Sequence, residues 1–430
     1  MNQRADFTFK HNRNAGRHGW LRLTPAYSVK LVADILAGLA AGQTVVDPFS
    51  GTGTTAVVAV EQGHDCDAFD INPFLIWLAE TKARTYTAEE RTGLSEAARR
   101  IAAAVTDTRG RHQWVPPIAA IERWWSAGHL ETLAAIHAGI VQEVRPHVAD
   151  LLKVAFCRIM IDSSNAAFNH QSMSFKPPAA CGAVPDHEAL VRDFVAQSDR
   201  IASDVAAPMA GRARFLLSDS RRLEAARHRA YTALITSPPY PNRMSYVREL
   251  RPYMYWLRYF SDRRAPGELD WQAIGGTWGT ATSRVANWQP AGVFERSHLI
   301  HRTVSRIGRR SQLLANYVHK YFEDMAGHFD ALVPMLAGGA RVFYVVGNSK
   351  FYDVMVPVEE LYADLLRRAG LREIAIHTIR KRNSKKELFE FVVSARRHEL
   401  ARRRVLGVGA AARTAGSETL PAAETQRRGC

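Results

Sequence analysis

Short apolar runs that stop on an aspartate or a small polar residue recur along this chain, separated by stretches whose apolar positions repeat at helical spacing. Residues 43–46 run into Asp47 and a glycine-containing loop, after which an apolar stretch through Gln62 predicts a helix. Residues 66–69 run into Asp70, and Pro73 then stands where a helix can begin without needing its own N–H. Similar alternation predicts strand, connection, strand, loop and helix over 213–262, with Asp219 closing the first of these strands. Helix, strand, helix and two last strands follow over 311–396. Parallel strands alternating with helices imply an α/β fold, a doubly wound and mostly parallel sheet whose ligands sit at the carboxyl ends of the strands.

Two segments, 85–210 and 263–310, interrupt that alternation and are longer than ordinary connections. The chain therefore divides into 1–84, the first half of the sheet with an N-terminal segment, then 85–210, a helical insertion, and 211–262, the sheet again. A second insertion at 263–310 precedes the rest of the sheet, 311–400, and a tail, 401–430, of disordered Ala/Arg/Gly composition. The first insertion reads as helical over 134–144 and 149–161. It then gives way to an amide-rich run, 163–178, that holds Asn165, Asn169, His170, Gln171 and Lys176 together with two phenylalanines. Such side chains suit base edges and phosphates, and equally a solvated loop. The second insertion interleaves Trp271, Trp278 and Trp288 with glycines before His301, Arg302, Arg306, Arg309 and Arg310. Aromatics followed by arginines fit contact with a nucleic acid; packed tryptophans beside a solvated helix face fit as well.

Two loops carry the candidate chemistry. In the first, Asp47-Pro48-Phe49-Ser50-Gly51-Thr52-Gly53-Thr54-Thr55 follows a strand and opens a helix, so a ligand can approach its backbone closely. No lysine follows Gly53 to hold phosphates, and Ala56 stands where a dinucleotide loop has its third glycine. A ligand that is cationic and carries a ribose, such as S-adenosylmethionine, calls instead for carboxylates, and Asp47, Asp70 and Asp219 supply them at strand ends. Taken singly, each is equally a helix cap or a turn residue.

The second loop, Ser237-Pro238-Pro239-Tyr240, follows the apolar run 233–236. An exocyclic amine on a base is a poor nucleophile, because its lone pair is delocalised into the ring. Ser237 Oγ and the Pro238 carbonyl offer two fixed acceptors for the amine hydrogens, and Tyr240 offers a face for an extruded base. The prolines stiffen the arrangement and end the strand. By itself Ser-Pro-Pro also describes an ordinary proline turn.

These motifs together resemble the amino-methyltransferases of DNA, which methylate cytosine N4 or adenine N6. The resemblance covers roughly the catalytic core and not the insertions. It implies S-adenosylmethionine as cofactor, held by Asp47, Pro48, Phe49, Gly51, Gly53, Thr54 and Thr55 in the loop, by Asp70, Ile71 and Asn72 at the ribose, and by Asp219 and Ser220 near the adenine. The segment 18–36, with Thr24 and Tyr27, is similar to the part that closes over the methionine end. Ser237, Pro238, Pro239 and Tyr240 match the catalytic motif. A leading Ser is similar to the cytosine-N4 enzymes, whereas Asp or Asn is commoner among adenine-N6 and guanine-N2 enzymes. The expected reaction is therefore methyl transfer to cytosine N4 in double-stranded DNA, with adenine N6 as the alternative and guanine N2 of RNA as a further one. Many Ser-Pro-Pro-Tyr enzymes place the catalytic motif before the cofactor loop; here the loop comes first. Candidate DNA contacts are Asn165, Asn169, His170, Gln171, Lys176, Arg243, Arg302, Arg306 and Arg309.

Charge and cysteine usage agree with that picture. A net charge of +15, of which residues 401–430 contribute only +4, favours a polyanionic partner for the body of the protein. Cys66, Cys157, Cys181 and Cys430 show no paired spacing for a disulfide or a zinc site, no metal is expected, and there is no Pro-Cys thiolate motif for methylation at a ring carbon. The polar residues 1–14 do not resemble a signal peptide and no apolar run spans a membrane, so a cytoplasmic location is expected. A partner restriction endonuclease, and a monomeric or dimeric state, are left open.

Overall fold

The computed structural model describes residues 5–8, 11–21, 23, 26–108, 113–167, 174–176, 187–223, 230–243, 245–277, 280–291, 297–382 and 387–398. Its central sheet comprises β1 (Thr44–Asp47), β2 (Asp65–Asp70), β3 (Ala213–Leu217), β4 (Tyr231–Thr236), β5 (Leu336–Gly347), β6 (Leu371–Lys381) and β7 (Phe389–Arg397). These lie in the order β6-β7-β5-β4-β1-β2-β3. All pairings from β5 to β3 are parallel, and β7 runs antiparallel between β5 and β6. The expected α/β class with a doubly wound, mostly parallel sheet is the one observed.

Successive residues of the central strands point to opposite faces, and both faces are covered. Val45, Ala233, Ile235, Phe343 and Val345 share a core with α1 (Val29–Ala37) and α2 (Thr54–Glu61). Val46, Leu234, Val342, Tyr344 and Val346 pack instead with α11 (His298–Gly308), α12 (Gln312–Leu332) and α13 (Val358–Arg368). This double burial explains why residues 45–46, 233–235 and 342–346 read as short apolar runs with no polar alternation.

The first insertion folds as α4 (Ala88–Thr108), α5 (Ala127–Val141), α6 (Pro146–Asp162) and α7 (His187–Asp204). It shares one core with α3 (Pro73–Ala83) and α8 (Tyr246–Trp256), through Phe74, Leu78, Ile136, Phe156, Phe194, Tyr253 and Trp256. Because α8 directly follows the second candidate loop, the insertion braces that loop from behind. The second insertion contributes α9 (Ala265–Gln272), α10 (Thr280–Ala286) and α11. Two of its tryptophans pack: Trp271 lies under Lys320 Nζ, 4.9 Å from the ring centroid, and Trp288 sits edge-on to His319 at 5.0 Å. Trp278 lies outside the described residues. Serine side chains set several helix starts, with Ser126, Ser245, Ser297 and Ser311 each accepting the N–H three residues on.

From the adjacent pair β1 and β4 the chain winds outward in opposite directions, to β2 and β3 on one side and to β5 on the other. The carboxyl ends of β1 and β4 thus flank the crevice where such sheets bind ligands. Among the described residues no helix is long and apolar enough to cross a membrane, and no three metal-binding side chains cluster.

Candidate functional site

Asp47, at the end of β1, is fully buried. Its Oδ1 accepts the Thr236 hydroxyl at 2.6 Å and the Phe49 N–H at 3.1 Å, while Oδ2 has no partner among the described residues. Burial pushes this carboxyl up to about 6 in spite of those bonds. The loop beyond it needs its glycines: Gly51 and Gly53 hold φ of +51° and +79°. A Cβ on Gly53 would also lie 2.6 Å from that of Ala79, so α2 and α3 approach each other only over a bare backbone there.

Asp70, at the end of β2, braces the same loop. Its Oδ2 accepts the Gly51 N–H at 2.9 Å and its Oδ1 the Asn72 N–H at 2.8 Å, and burial raises the carboxyl to about 6. Asn72 in turn caps α3 by accepting the Phe74 N–H. From below, the buried Lys82 of α3 donates to the Thr52 carbonyl at 3.2 Å, and desolvation lowers its ammonium to about 7. Asp219 falls two residues beyond the observed end of β3, in the following loop, and not at the end of the strand itself. Arg221 grips it through Nε to Oδ1 at 2.9 Å, Nη2 to Oδ2 at 2.6 Å and its own backbone N–H at 2.9 Å. Burial would raise the Asp219 carboxyl, but this guanidinium holds it below the usual range.

The N-terminal segment closes over the loop. Tyr27 donates its hydroxyl to Thr55 Oγ1, which itself donates to the Ile235 carbonyl at 3.1 Å. Arg17, buried, ties the segment down by donating to the carbonyls of Lys82 at 2.9 Å and Ala207 at 2.7 Å. On the opposite side the His328 ring meets Phe49 edge-on at 4.8 Å. Its Nδ1–H donates to the Ser220 carbonyl at 3.1 Å, so Nε2 accepts the Tyr344 hydroxyl at 2.7 Å, and burial lowers its pKa to about 4.

The second loop leaves the end of β4. The Ser237 hydroxyl donates to the Val345 carbonyl at 3.3 Å. No hydrogen bond reaches the Pro238 carbonyl among the described residues, whereas that of Pro239 accepts the Tyr321 hydroxyl at 2.8 Å. Tyr240 is held at both ends: its N–H donates to Tyr246 Oη at 3.1 Å and its hydroxyl to Glu390 Oε1 at 3.0 Å. Burial first, and then the Glu390 carboxylate, push the Tyr240 hydroxyl far above its ordinary pKa, which leaves it no role as a base near neutral pH.

Both loops open into one cavity of about 260 Å³. Tyr27, Pro48, Phe49, Gly51 and Thr54 line it, as do Asp70, Ile71, Asn72, Asp219 and Ser220, and all four residues 237–240. Asp47, Gly53 and Thr55 stand behind this lining and support it. Thr24 lies outside the described residues, as do Asn169, His170 and Gln171. Asn165 and Lys176 secure a small ribbon, Ala166–Ala167 paired with Ser174–Phe175, by donating to the carbonyls of Arg123 at 3.3 Å and Ser164 at 2.9 Å. Arg243, with φ of +60°, follows Asn242 of the cavity wall. Arg302, Arg306 and Arg309 are exposed on or just after α11, do not line the cavity, and form no ion pair with the described residues.

The resemblance places residues 341–349 and 387–394, with Gly347 and Glu390, in the later strands of the sheet and not in the site, and sequence reasoning passed over Arg221, His328, Lys82, Arg380 and Arg382; Arg380, Arg382 and Glu390 reach the cavity. Their signal was faint: charged residues at a strand end look the same whether they face water or a site.

No protein-family model matches the chain. A stretch of 68 residues, 15% of this chain and 13% of the relative, is 35% identical to the Type II methyltransferase M.BsoBI of Geobacillus stearothermophilus. The chain thus matches about an eighth of that relative's length. Among solved structures, the rRNA methyltransferase AviRa from Streptomyces viridochromogenes aligns over 86% of both chains at 13% identity, with a TM-score of 0.28. At that score the alignment does not bear on the site.

Proposed function

We propose that this protein transfers a methyl group from S-adenosylmethionine to the exocyclic N4 amine of a cytosine in double-stranded DNA. The hydrogen-bond state of the second loop carries the reading. With its proton directed to the Val345 carbonyl 3.3 Å away, Ser237 Oγ turns its lone pairs toward Tyr240 and the cavity, and the Pro238 carbonyl beside it is unengaged among the described residues. Two adjacent acceptors and no donor match an amino group, which offers two N–H bonds and wants nothing in return.

The other end of the cavity suits the cofactor. Each oxygen of Asp70 receives one backbone N–H and retains capacity for a hydroxyl of a ribose diol. The first loop carries no lysine or arginine to attract a phosphate, and Asp47 behind it favours a cationic ligand. Phe49, Ile71 and Leu31 add apolar walls. Asp219, saturated by Arg221, shapes the adenine end through its backbone and that of Ser220. When bound, S-adenosylmethionine supplies a methyl carbon on a sulfonium, the electrophile that a base amine requires.

Ser237 Oγ and the Pro238 carbonyl accept the two amine hydrogens and turn the nitrogen lone pair out of the ring plane, toward the cofactor end. The amine would gain the methyl carbon as that carbon's bond to sulfur breaks, the electron pair staying on a neutral thioether, and would give up one proton to solvent, so no protein side chain is needed as a general base. Catalysis then rests on positioning and on fixed dipoles. The net charge of +15 and the exposed arginines of α11 support a DNA partner, and the short match to a type II methyltransferase supports methyl transfer.

The test is nucleoside mass spectrometry after incubating unmodified duplex DNA with the full chain and cofactor. N4-methylcytosine is expected. N6-methyladenine would reassign the base, and no methylated nucleoside across varied duplexes would sink the proposal.

A further inference from the structure

The β6–β7 hairpin reaches the cavity from the far edge of the sheet. Its register sets Gly347, Glu390 and Arg380 side by side on β5, β7 and β6. Glu390, only 7% exposed, accepts the Tyr240 hydroxyl on one oxygen and Arg380 Nε, at 2.7 Å, on the other. That pair is internally neutralised. Arg382 is not: its guanidinium stands 5.5 Å from the centroid of the Tyr240 ring, its Nη1 donates to the Asn348 carbonyl at 3.0 Å, and it meets no carboxylate among the described residues. Among the described residues one of its five guanidinium N–H bonds is engaged, and the residue lines the cavity together with Ser237 and Pro238.

Resting on the amine-transfer reading above, we infer that Arg382 reads the ring edge of the extruded base beside its amine and thereby selects cytosine. Next to its amine, cytosine carries two consecutive acceptors, N3 and O2. Adenine carries one, N1, followed by a C–H. A guanidinium fork satisfies two neighbouring acceptors at once, whereas adenine would leave one buried N–H facing carbon. Ser237 and Pro238 recognise any exocyclic amine, so they cannot make this distinction; a cation with spare donors in the same cavity can. Arg380, committed to Glu390, keeps Tyr240 in place and leaves the reading to Arg382.

The test uses the full chain, Arg382→Gln and Arg382→Lys, and duplex oligonucleotides carrying the methylated site found by base-resolution sequencing of a host that expresses the protein. The target is either cytosine or 3-deazacytosine, which lacks the N3 acceptor. Loss of N3 should slow the wild type by about 10- to 100-fold, and Arg382→Gln should lose a similar factor on cytosine. The Gln variant should lose little more on 3-deazacytosine, because the contact is already gone. Calorimetric affinity for S-adenosylmethionine should stay within about twofold in both variants, since the side-chain contacts of Arg382 among the described residues are with Asn348 and Tyr240 and not with the glycine loop, Asp70 or Asp219. Lysine keeps the charge but not the fork, so it should restore only part of the rate.

Multiplicative penalties in the Gln variant on 3-deazacytosine, or wild-type rates in Arg382→Gln, would overturn the inference and leave amine transfer standing. Formation of N6-methyladenine by the wild type would overturn it too. If the wild type binds cofactor yet methylates no DNA, the reading on which the inference rests has failed, and the inference fails with it.

Discussion

Gly347 ends β5 beneath the ring of Tyr240, and a single methyl group there measures how tightly the second loop is set. A Cβ at Gly347 would lie 2.8 Å from Tyr240 Cε2, 3.0 Å from Cδ2 and 3.0 Å from Arg382 Nη1. Carbon atoms rest at about 3.5 Å or more, so the ring in Gly347→Ala must withdraw by roughly 0.7 Å. Three bonds oppose the shift: Tyr240 hydroxyl to Glu390, Tyr240 N–H to Tyr246, and Tyr321 hydroxyl to the Pro239 carbonyl. Gly347 does not need a left-handed backbone, so no conformational strain is added and the cost is steric, about 1–3 kcal/mol of stability. Motion of the ring drags the neighbouring Pro238 and Ser237 acceptors. If a 1 Å displacement costs about 100-fold in rate, this smaller one should cost about 10-fold. Single-turnover transfer of labelled methyl to DNA reads the rate, urea unfolding the stability, and calorimetry the cofactor affinity, which should not change. A stability loss of that size with an unchanged transfer rate would refute the coupling of ring position to the acceptors. An equal fall in cofactor affinity would show that the strain had spread through the whole cavity instead.

Ser237→Ala removes one of the two acceptors and should slow methyl transfer by about 100- to 1000-fold with cofactor affinity intact; parallel loss of both in rate and calorimetric measurements would point to damage to the fold. Asp47 and Asp70, both raised to about 6, must ionise to favour a cationic ligand, so affinity for S-adenosylmethionine should climb as pH rises from 5 to 7, and Asp70→Asn should reduce that climb. A flat calorimetric profile over that range would count against both acids. Lys82, lowered to about 7 from an unfolded value near 10.5, is neutral in the native state and protonated in the unfolded state between those two pH values. The unfolded chain then binds the extra proton, so stability should rise with pH across that window, with the burial penalty at its full size below pH 7. Lys82→Met should flatten this rise in thermal melts, and an unchanged slope would show that Lys82 stays charged.

The parts of the site legible from sequence are those built from neighbours in the chain. Asp47 to Gly53 and Ser237 to Tyr240 each stand directly after a strand buried on both faces, whose apolar composition marks where it stops. Asp219 was harder to place, because Ser218 and Asp219 extend an apolar run past the point at which pairing with β2 ends at Leu217. The remaining contacts join residues far apart in the chain, which no local pattern encodes: 150 positions separate Tyr240 from Glu390, and 108 separate His328 from Ser220. The tryptophans of the second insertion show the converse, since Trp271 and Trp288 could be read as base-stacking groups until their packing partners were known.

The order of the two loops along the chain, glycine loop first, has no bearing on the chemistry they can share. β1 and β4 are hydrogen-bonded neighbours at the point where the sheet changes winding direction, so whatever follows either strand emerges into the same crevice. Thr236 and Asp47, 189 positions apart, lock the two ends together at 2.6 Å, immediately before Ser237 and immediately before Pro48. What the order does determine is which elements surround that crevice. With the second loop late, its following helix α8 is free to pack on the helices of the earlier insertion, and β5, β7 and β6 come last to close the other wall with Gly347, Glu390, Arg380 and Arg382. On the proposed reading, local sequence supplies the two acceptors of Ser237 and Pro238, whereas Arg382, the charged group beside them whose donors differ from theirs, arrives from a separate part of the chain, and Glu390 and Arg380 of the same hairpin hold Tyr240 in place.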